Sequence, residues 1–169
     1  MPVDLGTLVL ADALATLRTY KALAEGALAQ VDDDALHRVL DEESNSLAVI
    51  IRHVAGNMRS RWTDFLTADG EKPDRDRDTE FVERPQTRAA LMAEWEAAWQ
   101  LTLDAVGALR PDDLGRTVFI RAEAMTAEAA LTRALTHYAY HVGQLVYLAR
   151  HFRSGPWRSL SIPRAVRGG

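Results

Sequence analysis

Two histidines stand four residues apart in the segment "THYAYHVGQLVYLAR", residues 136–150. In an α-helix, side chains at positions i and i+4 lie on one face, with Cβ atoms about 5–6 Å apart. His137 and His141 could therefore bind one metal ion through their imidazoles, at about 2.0–2.1 Å each. The same spacing also suits two core histidines that hydrogen-bond to separate partners. The spacing alone leaves both interpretations open.

The remaining histidines are His37, His53 and His151. On one continuous helix His151 would lie about 21 Å from His137, since each residue rises about 1.5 Å, so it cannot share that metal. Near a helix end, we expect it to face the negative end of the helix dipole. His37 lies in a charged connection, where we expect a solvated side chain.

His53 lies at the edge of an apolar stripe in a second helical segment. Asn57 and Arg61 follow it at i+4 and i+8 on the same face. A polar row in an otherwise apolar helix needs a reason, because unpaired buried polar groups are costly. A small polar site between this helix and the helix of His137 and His141 would supply one.

The composition describes an ordinary globular chain of 169 residues with a formal net charge of -4, and we expect one domain spanning residues 1–169. The chain has no cysteine, so any metal must be bound by His, Asp or Glu, and any thiol chemistry needs an external thiol. No apolar run is long enough to span a bilayer, and we see no signal peptide. We therefore expect a cytoplasmic protein without a membrane partner.

Arginines are concentrated at the C-terminal end, with five between Arg150 and Gly169 and no acidic residue among them. Such a tail could bind nucleic acid, which would make binding strongly salt-dependent. The acidic remainder of the chain and the lack of a nucleic-acid-binding motif speak against this. We expect the tail to contact the acidic remainder of its own protein, and we expect no nucleic-acid partner.

Four long segments have the apolar periodicity of helices. They run over about residues 5–30, 45–68, 87–109 and 126–152, with Ser44–Ser46 and Thr126 available as N-caps. The fold class predicted is all-α, a four-helix bundle with long second and third connections. The second connection is highly charged and should form a salt-bridged loop that could cover a pocket mouth. The third contains a β-prone run, Thr117–Arg121, that could form a short extended piece.

Two passages resemble the DinB-like, or YfiT-like, superfamily: "RHVAGNMRSRWTDFLTADGEKPDRDRDTEF" and "RALTHYAYHVGQLVYLAR". More narrowly, they resemble an uncharacterised branch with GNMxSRWxDF and DGEKPxRxRDxEF segments, to which the C-terminal "WRSLSIPR", Trp157–Arg164, is also similar. The resemblance covers nearly the whole chain from about Glu43 onward. It implies a four-helix bundle, usually a homodimer, and a divalent metal bound by three histidines. The positions that match are His53, His137 and His141.

Three neutral imidazoles would leave the full charge of a divalent ion in place, with open positions for water or substrate. Zinc, nickel, iron and manganese are all compatible with such ligands. Each imidazole would also need a partner for its other ring nitrogen, and Asn57, Arg61 and Gln144 are the candidates. These three could equally serve as packing polar groups or form an inter-helix ion pair.

The resemblance also bears on activity, because related members are similar to S-transferases that use low-molecular-weight thiols. We expect a metal-dependent enzyme acting on a small-molecule substrate, either such a thiol S-transferase or a small-molecule hydrolase. An anionic external thiol could be bound by arginines of the charged loop or the tail. The alternative is a non-catalytic, stress-associated dimeric scaffold with a structural histidine site. No residue is identified as the general base.

Overall fold

The computed structural model describes residues 4–162 and contains four long α-helices in that range. They are α1 (Leu5–Leu28), α2 (Leu47–Trp62), α3 (Arg88–Gly107) and α4 (Ala127–Phe152). Short 3₁₀ turns lie in the connections at Asp34–His37, Asp78–Phe81 and Pro111–Asp113. The predicted four-helix architecture is therefore confirmed. Pro163 and Arg164, which close the C-terminal segment of the resemblance, lie outside the described residues.

Each helix begins at a side chain that accepts a hydrogen bond from a backbone N–H of the first turn. The four N-caps are Asp4, Ser46, Thr87 and Thr126. Such caps satisfy backbone donors that have no partner inside the helix and stabilise a helix by about 1 kcal/mol each. Both places where the sequence predicted cap residues, Ser44–Ser46 and Thr126, are confirmed as helix starts.

The prediction of a purely α-helical chain is wrong in the third connection. There β1 (Thr117–Ile120) and β2 (Glu123–Thr126) pair as an antiparallel hairpin, with Ile120 opposite Glu123. Val118 and Ile120 are buried, whereas the alternate residues of β1 are exposed, which is the pattern of a strand covering a core. The β-prone run predicted as an extended piece is β1.

The second helix is shorter than the predicted segment 45–68. It ends at Trp62, because Thr63 is extended and Asp64 has a φ of 50°, outside the helical region. Phe65 is nevertheless buried and packs on Trp62 with ring centroids 4.7 Å apart. The apolar periodicity thus continues through a turn, which explains why the sequence pattern overran the helix.

Packing pairs α1 with α4 and α2 with α3. At the centre, Trp99 lies against Trp95 and Tyr138, with ring centroids 5.5 and 5.9 Å apart, and all three side chains are fully buried. Trp62 donates a hydrogen bond from Nε1 to the Tyr138 hydroxyl at 2.9 Å. Trp62, Trp95 and Trp99 are therefore core residues, and the hydrogen bond of Trp62 links α2 to α4.

Helix α2 is buried on every side, and Arg59 is its only exposed residue. The charged connection, residues 63–87, lies along it and bonds to its polar side chains. Ser46 donates to Glu83 at 2.5 Å, Arg52 donates to the Val82 carbonyl at 2.8 Å, and Ser60 donates to the Gly70 carbonyl at 3.0 Å. The loop thereby supplies partners to polar groups that burial would otherwise leave without any, although Nε and Nη1 of Arg52 have no hydrogen-bond partner within residues 4–162. The prediction of a salt-bridged loop is confirmed by the ion pairs of Arg75 with Glu71 and Glu80.

The turn of the hairpin is strained, since Arg121 and Ala122 have φ values of 57° and 61°. Two successive positive φ angles are what a type I′ hairpin turn requires, and glycine usually supplies them. Asp69 stabilises the turn, because its carboxylate accepts from the backbone N–H groups of both residues at 2.8 and 2.7 Å. This contact ties the hairpin to the start of the charged loop.

We predict that Ala122→Gly raises the free energy of unfolding by about 0.5–1 kcal/mol, because it removes the Cβ penalty of the left-handed region. Ala124→Gly, on the exposed side of β2, should lower it by a similar amount and is the matched control. Urea denaturation of the three proteins measures both effects. Destabilisation by both substitutions would show that the turn carries no strain.

Candidate metal centre

Three imidazoles from two helices converge between α2 and α4. His53 comes from the middle of α2, and His137 and His141 come from successive turns of α4. One ring nitrogen of each lies within 4.8 Å of the corresponding atoms of the other two. The Nε2 atoms of His137 and His141 are 3.1 Å apart. The sequence-predicted triad is thus brought together, in a geometry that could hold one metal ion.

The orientation of His53 is fixed from the charged loop. Its Nδ1 lies 2.9 Å from Oε2 of Glu80, and the ring packs on Phe81 with centroids 4.5 Å apart. Arg75 donates to both carboxylate oxygens of Glu80 at 2.8 Å. Burial by itself would raise the pKa of Glu80, but the hydrogen bonds from Arg75 and His53 outweigh it and keep the pKa below its usual range. An ionised carboxylate only accepts, so Nδ1 of His53 carries the proton and Nε2 has the free lone pair.

His141 is held in the same way from its own helix. Its Nδ1 lies 2.8 Å from the amide oxygen of Gln144, three residues further along α4. An amide oxygen only accepts, so the ring proton is on Nδ1 and the lone pair is on Nε2, the atom that faces His137. Gln144 therefore occupies the position expected of a residue that orients a ligand imidazole.

Both histidines of α4 are neutral at physiological pH. Burial, followed by the nearby rings of His141 and His53, lowers the pKa of His137 to about 3. Burial also lowers the pKa of His141 to about 4, although the hydrogen bond to Gln144 acts in the opposite direction. Metal ligation needs neutral imidazoles, so protons do not compete for these nitrogens at pH 7. The donor set fits a divalent transition metal.

A cavity of about 200 Å³ opens beside the triad. His53 and His137 form part of its wall, together with Ala134, whose small side chain leaves space next to the rings. The rest of the lining is polar and comes from α2, the charged loop, the hairpin turn and α4: Asn57, Arg61, Arg75, Arg77, Arg121 and Arg133. The candidate metal centre thus lies at the wall of a space large enough for a small molecule.

Asn57 and Arg61 line this cavity but make no contact with the ring nitrogens within the hydrogen bonds of residues 4–162. The amide oxygen of Asn57 accepts from the Tyr138 hydroxyl at 3.4 Å. Arg61 is buried with 7% of its surface exposed, and its Nη1 has no hydrogen-bond partner in that range. Glu80 orients His53 and Gln144 orients His141 instead.

The prediction of a solvated His37 is wrong. Its Nδ1 lies 2.7 Å from Glu83 and its Nε2 lies 2.9 Å from the carbonyl of Gln86, so the ring joins two connections of the fold. The hydrogen bond with Glu83 raises the pKa of His37 above its usual value. His151 is exposed in the last turn of α4, and its interaction with the helix dipole stays a prediction.

The arginine tail contributes nothing to the lining of the cavity within the described residues. Arg153 donates to the carbonyl of Gln30, and the backbone N–H of Arg158 donates to the Gln30 side chain at 2.8 Å. This part of the tail contacts its own protein just beyond α1, but these contacts are with the neutral Gln30 and not with the acidic side chains that were expected. The arginines of the cavity that come from connections are Arg75 and Arg77 of the charged loop and Arg121 of the hairpin turn.

Sequence reasoning missed the carboxylate that orients His53. Glu80 lies 27 positions from it, so helical spacing could not connect them. The available indication was Gly56, a glycine inside an otherwise continuous helix, which often marks a close approach by another group. A Cβ atom there would lie 2.1 Å from Oε1 of Glu80. Gly56 therefore makes the space through which the loop carboxylate reaches the helix.

None of the helices in the described part of the chain combines the length and apolarity that a bilayer crossing requires.

Comparison with family models matches residues 4–166 to a family described as "Protein of unknown function (DUF1572)". Among solved structures, the chain is similar to a DinB-like protein, YjoA, from Bacillus subtilis. The match has a TM-score of 0.63 at 16% sequence identity, and it covers 90% of this chain and 96% of that one. At this identity the likeness supports the DinB-like fold. No curated protein sequence matches the chain.

We predict that the metal-free protein loses stability as the pH falls below about 6.5. The unfolded chain binds protons at His137 and His141 near pH 6.5, whereas the folded chain binds them only near pH 3 at His137 and near pH 4 at His141. Stability is therefore complete above pH 6.5, and about 2–4 kcal/mol of it is lost between pH 7 and pH 5. Urea denaturation in the presence of a chelator measures the slope.

The comparison variant is the double substitution His137→Gln, His141→Gln, which removes both titrations and should flatten this part of the pH profile. His151→Gln removes an exposed histidine from the same helix and should keep the wild-type slope. Parallel profiles for the wild type and the double variant would contradict the prediction.

Proposed function

The chain belongs to the DUF1572 family, and we propose that it is a divalent-metal-dependent enzyme whose metal ligands are His53, His137 and His141. The observation that carries this proposal is the convergence of three imidazole nitrogens within 4.8 Å at the wall of a cavity. A purely structural metal site does not need a cavity beside its ligands, whereas an enzyme needs one to hold its substrate. It stays a prediction that the GNMxSRWxDF and DGEKPxRxRDxEF segments mark a distinct DinB-like branch.

A divalent ion at this site would supply Lewis acidity, which lowers the pKa of a coordinated water or thiol. The chain's own residues prepare the ligands. Glu80 holds the Nδ1 proton of His53, and Gln144 holds that of His141. We assign the cavity to a small-molecule substrate, and we propose either transfer of an external low-molecular-weight thiol or hydrolysis. Zinc, nickel, iron and manganese all suit the three nitrogen ligands.

The metal assignment predicts about one equivalent of bound transition metal in protein purified without a histidine tag or chelator. The His137→Ala, His141→Ala double variant should lose it, because two of three ligands are gone. His151→Ala also removes a histidine from α4, but an exposed one, and should retain the metal. Elemental analysis measures the metal stoichiometry. A double variant that still binds a full equivalent of metal would contradict the metal assignment.

Glu80→Gln should weaken metal affinity about 10- to 100-fold, because it replaces the carboxylate that orients His53 by a neutral amide. The matched control is Asp78→Asn, which removes the same charge from the same loop at a side chain that is 97% exposed. Competition titration against a metal-binding dye compares the three proteins. Equal affinities would show that Glu80 does not tune the site.

The choice between a thiol and a water as the activated group can be made spectroscopically. We predict that a small external thiol added to the cobalt-loaded protein produces a sulfur-to-cobalt charge-transfer band in the near ultraviolet, because a thiol bound to the ion is deprotonated. The S-methyl derivative of the same thiol should produce none. A spectrum that stays unchanged with cysteine and with larger thiols would favour the hydrolase.

A second candidate function is a non-catalytic, stress-associated dimeric scaffold. Two tyrosines favour a binding face: Tyr140 and Tyr147 lie seven residues apart on α4, and they are 63% and 70% exposed. Exposed aromatic side chains of this kind are enriched at protein interfaces, which supports the proposed homodimer. A metal with every coordination position filled by protein would favour the scaffold. We place either function in the cytoplasm.

A further inference from the structure

The cavity beside the histidines is strongly cationic. Five of the nine residues that line it are arginines, and none is acidic: Arg61, Arg75, Arg77, Arg121 and Arg133. The protein as a whole has a net charge of -4, so this local excess does not follow from the composition. A cluster of like charges on low-dielectric walls raises the local concentration of anions.

Some of these charges are already neutralised. Arg75 pairs with Glu80 at 2.8 Å and with Glu71 at 3.3 Å, which makes it part of the support of His53. Arg121 and Arg133 reach acidic side chains only at 3.4 and 3.9 Å, and both are more than half exposed. Exposed pairs of this length contribute little, so these two arginines keep most of their capacity to attract an anion.

Arg61 differs from the others because it is buried without a partner. It is 7% exposed, its Nη1 has no hydrogen-bond acceptor within residues 4–162, and burial lowers the pKa of its guanidinium. Leaving a buried charge unpaired costs several kcal/mol. The fold nevertheless makes room for it: a Cβ on Gly70 would lie 2.8 Å from Nη1. Nη1 itself has almost no accessible surface, so an anion in the cavity would pair with the guanidinium charge through its remaining N–H groups, which make no hydrogen bond within residues 4–162.

We propose that Arg61 binds an oxyanion group, a carboxylate or a phosphate, of the small molecule that reacts at the histidine site, with Arg77, Arg121 and Arg133 attracting it. The planar guanidinium matches both oxyanions, since its parallel N–H groups bind two oxygens at once. His137 lines the same cavity as Arg61, so a ligand held at Arg61 could present its other end to the metal site. The reaction of the bound molecule at the metal site depends on the proposed function, whereas the binding of the oxyanion by Arg61 does not.

The test uses metal-free protein, so that its outcome is separate from the metal assignment. Inorganic phosphate and malonate are titrated calorimetrically at constant ionic strength, with acetamide as an uncharged control. The wild type should bind at least one of the two anions and not acetamide. The stronger of the two identifies the oxyanion class. Binding of neither would overturn the proposal. If the protein binds an anion but takes up no metal, the anion site is supported and the proposed metal-dependent enzyme is contradicted.

Arg61→Gln should weaken this binding about 10- to 100-fold, since it removes hydrogen bonds to a charged group. Arg61→Lys should recover part of it by keeping the charge without the fork. Arg59→Gln is the matched control: Arg59 lies two residues away on the same helix, is exposed and does not line this cavity. Equal losses in the Arg59 and Arg61 variants would overturn the proposal.

A readout from folding separates a binding role from a structural one. If Arg61 is kept for a ligand, Arg61→Met should raise the melting temperature of the ligand-free protein by about 2–4 °C, because an unpaired buried charge is replaced by an apolar side chain. The same variant should lose the stabilisation by the anion. A melting temperature lowered by Arg61→Met and an anion effect that persists would assign Arg61 to the structure.

Discussion

The ion pair between Arg75 and Glu80 is the contact on which the candidate site depends. It closes the charged loop over α2, and the Glu80 carboxylate continues to Nδ1 of His53. Glu80 is 11% exposed and Arg75 is 6% exposed, so the pair is shielded from water and its attraction is much stronger than at the surface. A pair so placed is costly to form and costly to break, which gives the loop a defined position.

The same loop explains how α2 can be buried on all sides while carrying Arg52, His53, Ser60 and Arg61. A helix in that position is normally apolar all round. Here, the loop supplies a backbone carbonyl to Arg52, a carboxylate to His53 and another carbonyl to Ser60. Within residues 4–162 Arg61 donates no hydrogen bond to the loop, and it lines the cavity instead. The polar content of the helix is thus divided between groups that hold the loop and groups that face the proposed ligand.

What could be predicted from the sequence follows from the range of the interactions. Helix existence and the His137–His141 pair depend on local spacing, and both were predicted. Joining His53 to that pair required a resemblance, because nothing in the spacing within α2 indicates which part of α4 it meets. The link from Glu80 to His53 passes between a loop and a helix without any periodic pattern. The predicted second helix extends beyond the observed end of α2 because Phe65 is buried by tertiary packing, although the helix has already ended.

Gly56 shows how narrow this arrangement is. Any side chain there would meet the Glu80 carboxylate, because even a Cβ would lie 2.1 Å from Oε1. The exchange Gly→Ala, which normally favours a helix by about 1 kcal/mol, would here force the Glu80 carboxylate away from its position beside His53. The chain gives up local helix propensity at this position and gains a passage between two layers of its fold. Sequences that share the three histidines but carry a larger residue at this position must orient their imidazole by another route, so this single position separates two designs of the site.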